Sequence, residues 1–122
     1  MRITQAESAV MEVLWRRSPL AAEEIAAEVA EPQGWSQVTV KTLINRLLTK
    51  RAIGAEKDGR RYLYRPLLDR GSYVAGESQG LLDRLFDGRL APLVSHFSQS
   101  KTLTPEDVAE LKRLIEALDD GK

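Results

Sequence analysis

A short basic stretch, residues 36–49, carries side chains suited to contacts with a polyanion. If the stretch is helical, a rotation of 100° per residue brings one group of side chains to a single face, namely Val38, Thr42, Asn45 and Thr49, flanked by Lys41 and Arg46. Hydroxyl groups, an amide and an exposed valine can contact base edges in a major groove, and the cations can contact phosphates. The stretch therefore predicts a helix that reads double-stranded DNA. The alternative is a helix face that is only hydrated.

The opposite side of the same stretch carries the pattern that would hold it as a helix. Apolar residues recur at i, i+3, i+4, i+7 and i+8, and they are Val40, Leu43, Ile44, Leu47 and Leu48. Ser36 precedes them and is a good N-cap, because its hydroxyl group can accept a hydrogen bond from a free backbone N–H of the first turn. The spacing predicts an amphipathic helix that begins directly after Ser36.

A second basic element follows this helix. Extended segments on either side of Asp58-Gly59 predict a two-residue hairpin with a type I′ turn, in which the glycine takes a positive φ. Three cations, Lys57, Arg60 and Arg61, cluster at its tip. Such a hairpin would be a wing that contacts phosphates or the minor groove beside the helix. A hydrated turn is the alternative.

The residues upstream of position 36 predict the elements that would position the basic helix and the hairpin. Residues 4–7 read Thr-Gln-Ala-Glu, a capping box that predicts a helix running to about Arg17. Leu20–Ala21 suits a short bridging strand, and good helix formers follow over residues 22–30. Residues 32–34 read Pro-Gln-Gly and predict the turn before the basic helix. Together these elements predict a winged helix-turn-helix domain over residues 1–68, in a fold that is mainly α with a small β-hairpin wing.

The charge distribution supports a polyanionic partner although the whole chain of 122 residues has a formal net charge of zero. Residues 36–65 hold eight cations and two acids, whereas residues 71–122 hold six cations and nine acids. A locally basic segment is sufficient for phosphate contacts with counterion release. No apolar run approaches the length of a membrane span, and residues 1–5 lack the hydrophobic segment of a signal peptide. We therefore expect a cytoplasmic protein without membrane insertion.

The remaining segment, residues 69–122, predicts helices with more apolar surface than a small winged domain can cover. A helix is expected over residues 69–87, a short apolar segment over residues 90–97, and a last helix capped by Thr104 with Pro105 in its first turn. Burial against a second copy of the chain is the simplest outcome. The residues expected at this dimer interface are Leu81, Leu85, Val108, Leu111, Leu114, Ile115 and Leu118.

The residues also resemble a known family. The pattern W-S-x-x-T-[IV]-x-T-L-[IL]-x-R-L over residues 35–47, with Glu7, Met11 and Trp15 upstream, is similar to the penicillinase repressor (BlaI/MecI/CopY) family of bacterial transcriptional repressors. The resemblance implies a homodimer that binds an inverted repeat in promoter DNA, one half-site per winged domain. Family members often carry lysine at the position of Val38, and some carry arginine at that of Lys41.

The expected DNA-binding residues combine the helix face with the positions that match the family. They are Ser36, Gln37, Val38, Thr39, Lys41, Thr42, Asn45, Arg46, Lys57, Arg60 and Arg61. Among them, Thr39, Lys41, Thr42 and Arg46 match family positions that contact or anchor DNA. Lys41 lacks the guanidinium group with which arginine reads guanine through two hydrogen bonds.

The resemblance also implies two routes of induction. The copper-responsive branch binds metal through cysteines, and this chain has none, which excludes thiolate copper sensing. The other branch is inactivated by cleavage at an Asn-Phe bond, and the matching position here is His96-Phe97. This route implies a membrane sensor protease as a partner. Histidine in place of asparagine is a departure from the family pattern.

The sequence offers no reason to expect an enzyme. It contains no nucleophile pair, glycine-rich phosphate loop or metal-ligand spacing, so no cofactor or metal is expected. Two other classes remain open. One is a winged-helix module that binds a protein through apolar anchors such as Trp15 or Leu118. The other is a regulator that responds to a small molecule held at a dimer interface.

Overall fold

The computed structural model describes residues 2–120. The elements in chain order are α1 Gln5–Arg16, β1 Leu20–Ala21, α2 Ala22–Gln33, α3 Gln37–Thr49, β2 Ile53–Asp58, β3 Arg61–Pro66, α4 Arg70–Leu85, α5 Leu90–Gln99 and α6 Pro105–Asp120. The chain divides into two compact units, and the division falls between Val74 and Ala75. We call them the N-terminal and the C-terminal unit and describe each by itself.

The first helix begins at the capping box expected from the sequence. The Glu7 backbone N–H donates to the Thr4 hydroxyl oxygen at 3.1 Å, and the Thr4 N–H donates to the Glu7 carboxylate at 2.8 Å. These bonds satisfy donors that a helix start leaves free. The helix ends one residue before the expected Arg17. Its buried apolar residues Val10, Met11 and Leu14 belong to a core that α2, α3 and the sheet share.

The second helix is longer than the sequence indicated. The expected turn at residues 32–34 lies largely inside α2, which continues to Gln33 and includes Pro32 in its last turn. Gly34 adopts the left-handed conformation at φ 73°, and the helix closes with hydrogen bonds from the Gly34 N–H to Glu31 and from the Trp35 N–H to Ala30. This Schellman motif needs a left-handed residue after the last turn, and the glycine provides it at little cost.

The third helix confirms the expected pattern. Ser36 is its N-cap, and the Thr39 backbone N–H donates to the Ser36 hydroxyl oxygen at 3.2 Å. Four of the five predicted stripe residues are buried, namely Val40, Leu43, Ile44 and Leu47, and Leu48 is half-buried against the same core. The apolar stripe therefore fixes which face of α3 points outward.

The three strands form one antiparallel sheet in the order β1-β3-β2. Asp58 pairs with Arg61, so the two residues that connect β2 and β3 are Gly59 and Arg60 rather than the expected Asp58 and Gly59. Of these two, Gly59 alone has a positive φ, at 65°. A positive φ at the first position only is the pattern of a type II′ turn, so the predicted type I′ turn is wrong.

The C-terminal unit is helical. The apolar segment at residues 90–97 is part of α5, and α4 covers residues 70–85 of the expected 69–87. Before α6, the Asp107 N–H donates to the Thr104 hydroxyl oxygen at 3.1 Å, and the Thr104 N–H donates to the Asp107 carboxylate at 3.2 Å. This confirms Thr104 as the cap. No side chain between residues 75 and 119 is fully buried.

Three helices, a bridging strand and a hairpin, in this order and packed on one core, form a winged helix-turn-helix unit. The predicted fold class is therefore confirmed. The predicted domain boundary after residue 68 stays a prediction. In the structure, the beginning of α4 belongs to the compact N-terminal unit.

Candidate nucleic-acid interface

The outer face of α3 is open to solvent over its whole length. Val38, an apolar residue in the first turn of α3, is 72% exposed. Every residue of the expected DNA-binding set is exposed, and these are Ser36, Gln37, Val38, Thr39, Lys41, Thr42, Asn45, Arg46, Lys57, Arg60 and Arg61. The fold thus brings the first eight together on one helix and the other three at the hairpin.

The threonine hydroxyl groups on this face are already engaged as donors. Thr42 Oγ1 donates to the Val38 carbonyl oxygen at 3.0 Å, and Thr49 Oγ1 donates to the Asn45 carbonyl oxygen at 3.0 Å. Because a hydroxyl group has one hydrogen, these side chains can offer a ligand only an oxygen acceptor or a methyl group. The exposed Val38 adds more apolar surface beside Thr42. This end of the face therefore suits an apolar contact, such as a thymine methyl group.

Shallow depressions lie along α3, and two of them share the residue Asn45. The larger, about 320 Å³, is lined by Thr42, Asn45, Arg46, Thr49 and Lys50. The smaller, about 140 Å³, lies between α3, the beginning of α2 and β3, and it is lined by Ala22, Lys41, Ile44, Asn45 and Tyr64. Asn45 lines both, so its amide group stands between the helix face and the wing. An amide group can read an adenine edge with two hydrogen bonds.

Ion pairs sort the cations of the basic segment into two groups. Three of the eight cations between residues 36 and 65 are paired, since Lys50 contacts Glu7, Arg61 contacts Asp58 at 3.5 Å, and Arg65 contacts Glu56 at 3.7 Å. The other five have no ion-pair partner within residues 2–120, and they are Lys41, Arg46, Arg51, Lys57 and Arg60. Both acids of the segment are thus paired with Arg61 and Arg65 rather than with the five unpaired cations. The positive charge of α3 and the hairpin tip stays available to an anion.

The position of α3 depends on an ion pair that the sequence did not reveal. Glu7 is fully buried, and its carboxylate accepts a hydrogen bond from the Lys50 ammonium group at the end of α3. Lys50 also donates to the Arg2 carbonyl oxygen at 2.8 Å. Burial by itself would raise the pKa of the Glu7 carboxyl, but the hydrogen bonds from Lys50 and Thr4 outweigh it, so the pKa lies below its usual value. The pair joins the beginning of α1 to the end of α3.

A second set of contacts holds the segment that follows the wing. Trp15 Nε1 donates to the Leu68 carbonyl oxygen at 2.8 Å, and the rings of Trp15 and Tyr73 lie 5.4 Å apart between centroids. Arg70 forms an ion pair with Glu12 at 3.1 Å. The sequence indicated Trp15 as part of the family pattern and as a candidate apolar anchor for a protein partner. The structure shows that it anchors the chain between β3 and α4 to α1.

Comparisons with known proteins agree with this architecture. The family model described as penicillinase repressor matches residues 3–117. The chain belongs to the penicillinase repressor family. The penicillinase repressor of Bacillus licheniformis is 32% identical over 115 residues, which are 94% of this chain and 90% of that protein. The methicillin resistance regulatory protein MecI of Staphylococcus aureus strain N315 is 27% identical over 93% of this chain and 92% of its own length.

A solved structure supports the winged fold of this penicillinase repressor family member. The solution structure of the Bacillus licheniformis BlaI monomeric form in complex with the blaP half-operator is 34% identical, covers 60% of this chain and 89% of that one, and has a TM-score of 0.54. The family resemblance inferred from residues 35–47 is therefore confirmed, and the family match extends well beyond the winged unit.

Within the family fold, the residues expected at a dimer interface lie in the C-terminal unit with large apolar exposure. Leu118 is 73% exposed, and Leu85, Val108, Leu114 and Ile115 are exposed as well, whereas Leu81 and Leu111 are half-buried. Val108, Leu111, Ile115 and Leu118 recur at the spacing of a helix seam along α6. The structure thus leaves an apolar seam uncovered.

His96 and Phe97, expected at a cleavage site, lie in the regular helix α5. The His96 carbonyl oxygen accepts from the Ser100 N–H at 3.1 Å, and the Phe97 carbonyl oxygen accepts from the Thr102 N–H at 3.0 Å. Both residues are exposed, and the two rings are 5.3 Å apart. The bond between them is therefore accessible at its side chains, while its backbone is held in helical hydrogen bonds.

Residues 2–120 also bear on two other kinds of site, a metal centre and a membrane-spanning helix. No group of three or more His, Asp or Glu side chains is arranged to hold a metal ion in that part of the chain. None of the helices within the same range is long and apolar enough to cross a lipid bilayer.

Proposed function

We propose that the chain is a sequence-specific transcriptional repressor that binds double-stranded promoter DNA through α3 and the wing. The observation that carries the proposal is the outer face of α3, which is exposed along its length and flanked by Lys41 and Arg46, neither of them in an ion pair within the described residues. A face used only for hydration would not need an exposed valine or unpaired cations. Membership of the penicillinase repressor family supports the same function.

The side chains of this surface would have different roles, which follow from their chemical groups. Val38, Thr42 and Asn45 face outward and carry the groups that can distinguish bases. Lys41 and Arg46 stand at the flanks and would contact phosphates, which fix register and supply the salt-dependent part of the affinity. Ser36 and Thr39 are engaged in the cap of α3, so their contribution is the placement of the first turn and its N–H groups.

We propose that the chain acts as a homodimer on an inverted-repeat operator. The C-terminal unit carries the seam Val108, Leu111, Ile115 and Leu118, which is exposed except at the half-buried Leu111. It has no fully buried side chain between residues 75 and 119. Helices of this size need a covered apolar face for stability. A second copy offers the same seam, so an isologous contact would cover both. Two linked winged units would also bind two half-sites with increased avidity.

Proteolytic inactivation is the route of induction that we propose for this member. His96-Phe97 occupies an exposed position in α5, C-terminal to the winged unit and N-terminal to the α6 seam. Cleavage there would separate DNA binding from the seam that maintains the dimer. Because proteases bind extended chain, the protease must first unfold α5 locally, and a helix without a fully buried residue opens at low free-energy cost. The partner would be a membrane sensor protease.

A selection experiment tests DNA binding. The full chain is used to recover duplexes from a random library, and the selected duplex is then titrated with salt. We expect an inverted repeat and a steep loss of affinity with salt. Lys41→Ala and Arg46→Ala should each lower the salt slope by about 1 for each copy bound. Arg16→Ala is the matched control, because Arg16 is also an exposed cation of the winged unit but pairs with Glu28. Equal behaviour of all three variants would contradict the proposal.

Sedimentation tests the dimer. Leu111→Asp combined with Leu118→Asp should yield monomers and weaken operator binding, because charged groups cannot be buried in an apolar seam. Lys112→Asp is a control on the same helix outside the seam. A double variant that stays dimeric would place the interface elsewhere.

Mass spectrometry of the chain from induced cells tests the cleavage. We expect a fragment that begins at Phe97 in induced cells and none in uninduced cells. Induction with the chain intact would contradict this part of the proposal.

A further inference from the structure

The two faces of the wing differ in charge and in what they adjoin. Alternation along β2 and β3 places Ile53, Ala55 and Lys57 on the same face as Tyr62 and Tyr64. This is the core-side face, because Ile53 is buried and Tyr64 packs against the core cluster. The outer face carries Glu56, Asp58, Arg61 and Arg65.

The cations on the outer face of the wing are paired with carboxylates. Arg61 lies 3.5 Å from Asp58 and 4.0 Å from Glu23 at the beginning of α2, and Arg65 lies 3.7 Å from Glu56. These pairs are exposed, so each contributes little to stability, but together they neutralise the cations on that face. A phosphate approaching Arg61 or Arg65 would have to compete with a carboxylate already in place.

The core-side face of the wing, in contrast, carries polar groups without partners in the described part of the chain. Lys57 and Tyr62 are direct cross-strand partners, and Lys57 has no ion-pair partner within residues 2–120. Tyr62 is 51% exposed, and no hydrogen bond of its hydroxyl group is present in that range. Two pairs further from the tip, on the same face, Tyr64 lines the depression of about 140 Å³ with Lys41 and Asn45 of α3. The face that bears Lys57 and Tyr62 is thus the one that borders α3.

We propose that Tyr62 is a DNA-contacting residue of the wing, acting with Lys57, and that Arg61 contributes much less. This inference rests on the proposed DNA-binding function. A duplex that lies along the outer face of α3 passes the core-side face of the hairpin rather than its outer face. There the phenol hydroxyl group of Tyr62 can donate to a phosphate oxygen while the ring lies against a deoxyribose, and Lys57 beside it neutralises the phosphate.

The two residues leave different signatures in a salt titration of the full chain on the duplex selected with the wild-type protein. Tyr62 is uncharged, so Tyr62→Phe should weaken binding about fivefold through the lost hydrogen bond and leave the salt slope unchanged. Lys57→Ala should lower the slope by about 1 for each copy bound. Arg61→Ala, the matched control on the outer face, should change affinity less than twofold, since its charge is already compensated.

The outcomes separate this inference from the function on which it rests. If Lys41→Ala and Arg46→Ala weaken binding while Tyr62→Phe and Tyr62→Ala bind like the wild type, DNA binding stands and the role of Tyr62 is refuted. A larger loss for Arg61→Ala than for Lys57→Ala would also overturn it, because the outer face would then be the contact surface. If the wild type selects no duplex at all, the proposed function itself fails. Thermal unfolding of each variant checks that the fold is intact, and we expect the half-exposed Tyr62 position to tolerate both substitutions.

Discussion

Removal of the Lys50 ammonium group would show how strongly the position of α3 depends on the buried carboxylate of Glu7. In Lys50→Met the methionine keeps most of the apolar stem, so the change isolates the charge. Glu7 has no accessible surface, whereas the Lys50 side chain is 31% exposed. Breaking a buried ion pair from one side costs about 3–5 kcal/mol, and the partial exposure of Lys50 places the expected loss of unfolding free energy near the lower end, at about 3 kcal/mol.

Urea unfolding at pH 7, followed by tryptophan fluorescence, measures this loss. Both tryptophans, Trp15 and Trp35, lie in the N-terminal unit, so the signal reports on the unit that contains the pair. Lys41→Met is the matched control, since Lys41 is an exposed cation of the same helix without an ion-pair partner in residues 2–120. It should change stability by no more than about 0.5 kcal/mol.

The pH dependence provides the second half of the test. The pKa of Glu7 is lowered on folding, so the pair contributes stability above the unfolded pKa, near 4.5, and that stability is lost as pH falls through the folded pKa. Without Lys50 the pKa of Glu7 rises relative to the wild type. The stability difference between wild type and Lys50→Met should therefore shrink as the pH is lowered below about 4.5.

A second substitution identifies the cause. Glu7→Gln in the Lys50→Met background removes the unpaired buried charge and keeps an oxygen that can accept the Thr4 N–H of the capping box. The double variant should be more stable than Lys50→Met alone, which is a coupling that a double-mutant cycle measures directly. Two results would show that the pair does not hold α3 in place. One is an equal unfolding free energy for Lys50→Met and Lys41→Met at pH 7. The other is a double variant that is no more stable than Lys50→Met.

Three further substitutions test other parts of the structure. Arg51→Gly should raise the unfolding free energy by about 0.5–1 kcal/mol in urea unfolding, because Arg51 ends α3 in the left-handed region at φ 62°; a loss would contradict this reading. Trp15→Phe should cost about 1 kcal/mol in the same assay, followed through Trp35, because the Leu68 carbonyl oxygen loses its donor. Val38→Lys should change the preferred base in a repeated duplex selection more than it changes affinity. Equal loss on selected and random duplexes would refute base contact by Val38.

Short sequence patterns were enough to predict those parts of the winged unit whose structure depends on a few neighbouring residues. The cap at Ser36 and the apolar stripe through Val40 and Ile44 are both properties of a single helix, and the structure confirms them. The capping box at Thr4 and Glu7 was predictable for the same reason. In each case the deciding interactions span four residues or one helix face, so no tertiary information was needed.

The predictions from sequence failed where strand pairing or tertiary packing determines the structure. An Asp-Gly dipeptide favours a type I′ turn, but the register that pairs Asp58 with Arg61 moves the turn to Gly59 and Arg60. The proline at position 32 was interpreted as a helix end, although the last turn of α2 tolerates it before the cap at Gly34. The Glu7–Lys50 pair joins residues 43 apart, and no local pattern indicates it. Long-range partners of this kind become visible only when α1 and α3 are placed on the same core.

The formal neutrality of the chain has a structural explanation that composition alone does not reveal. Within the basic segment the acids sit where they neutralise structural or outer-face cations, as Glu56 does with Arg65, while Glu7 from outside the segment neutralises Lys50. Five cations of the segment are left without ion-pair partners in the described part of the chain, and four of them lie on α3 or at the hairpin. Counterion release on DNA depends on cations that are free to meet phosphates, not on net charge. The five unpaired cations of the segment are therefore free to meet phosphates, so a protein with no net charge can still carry a surface suited to a polyanion.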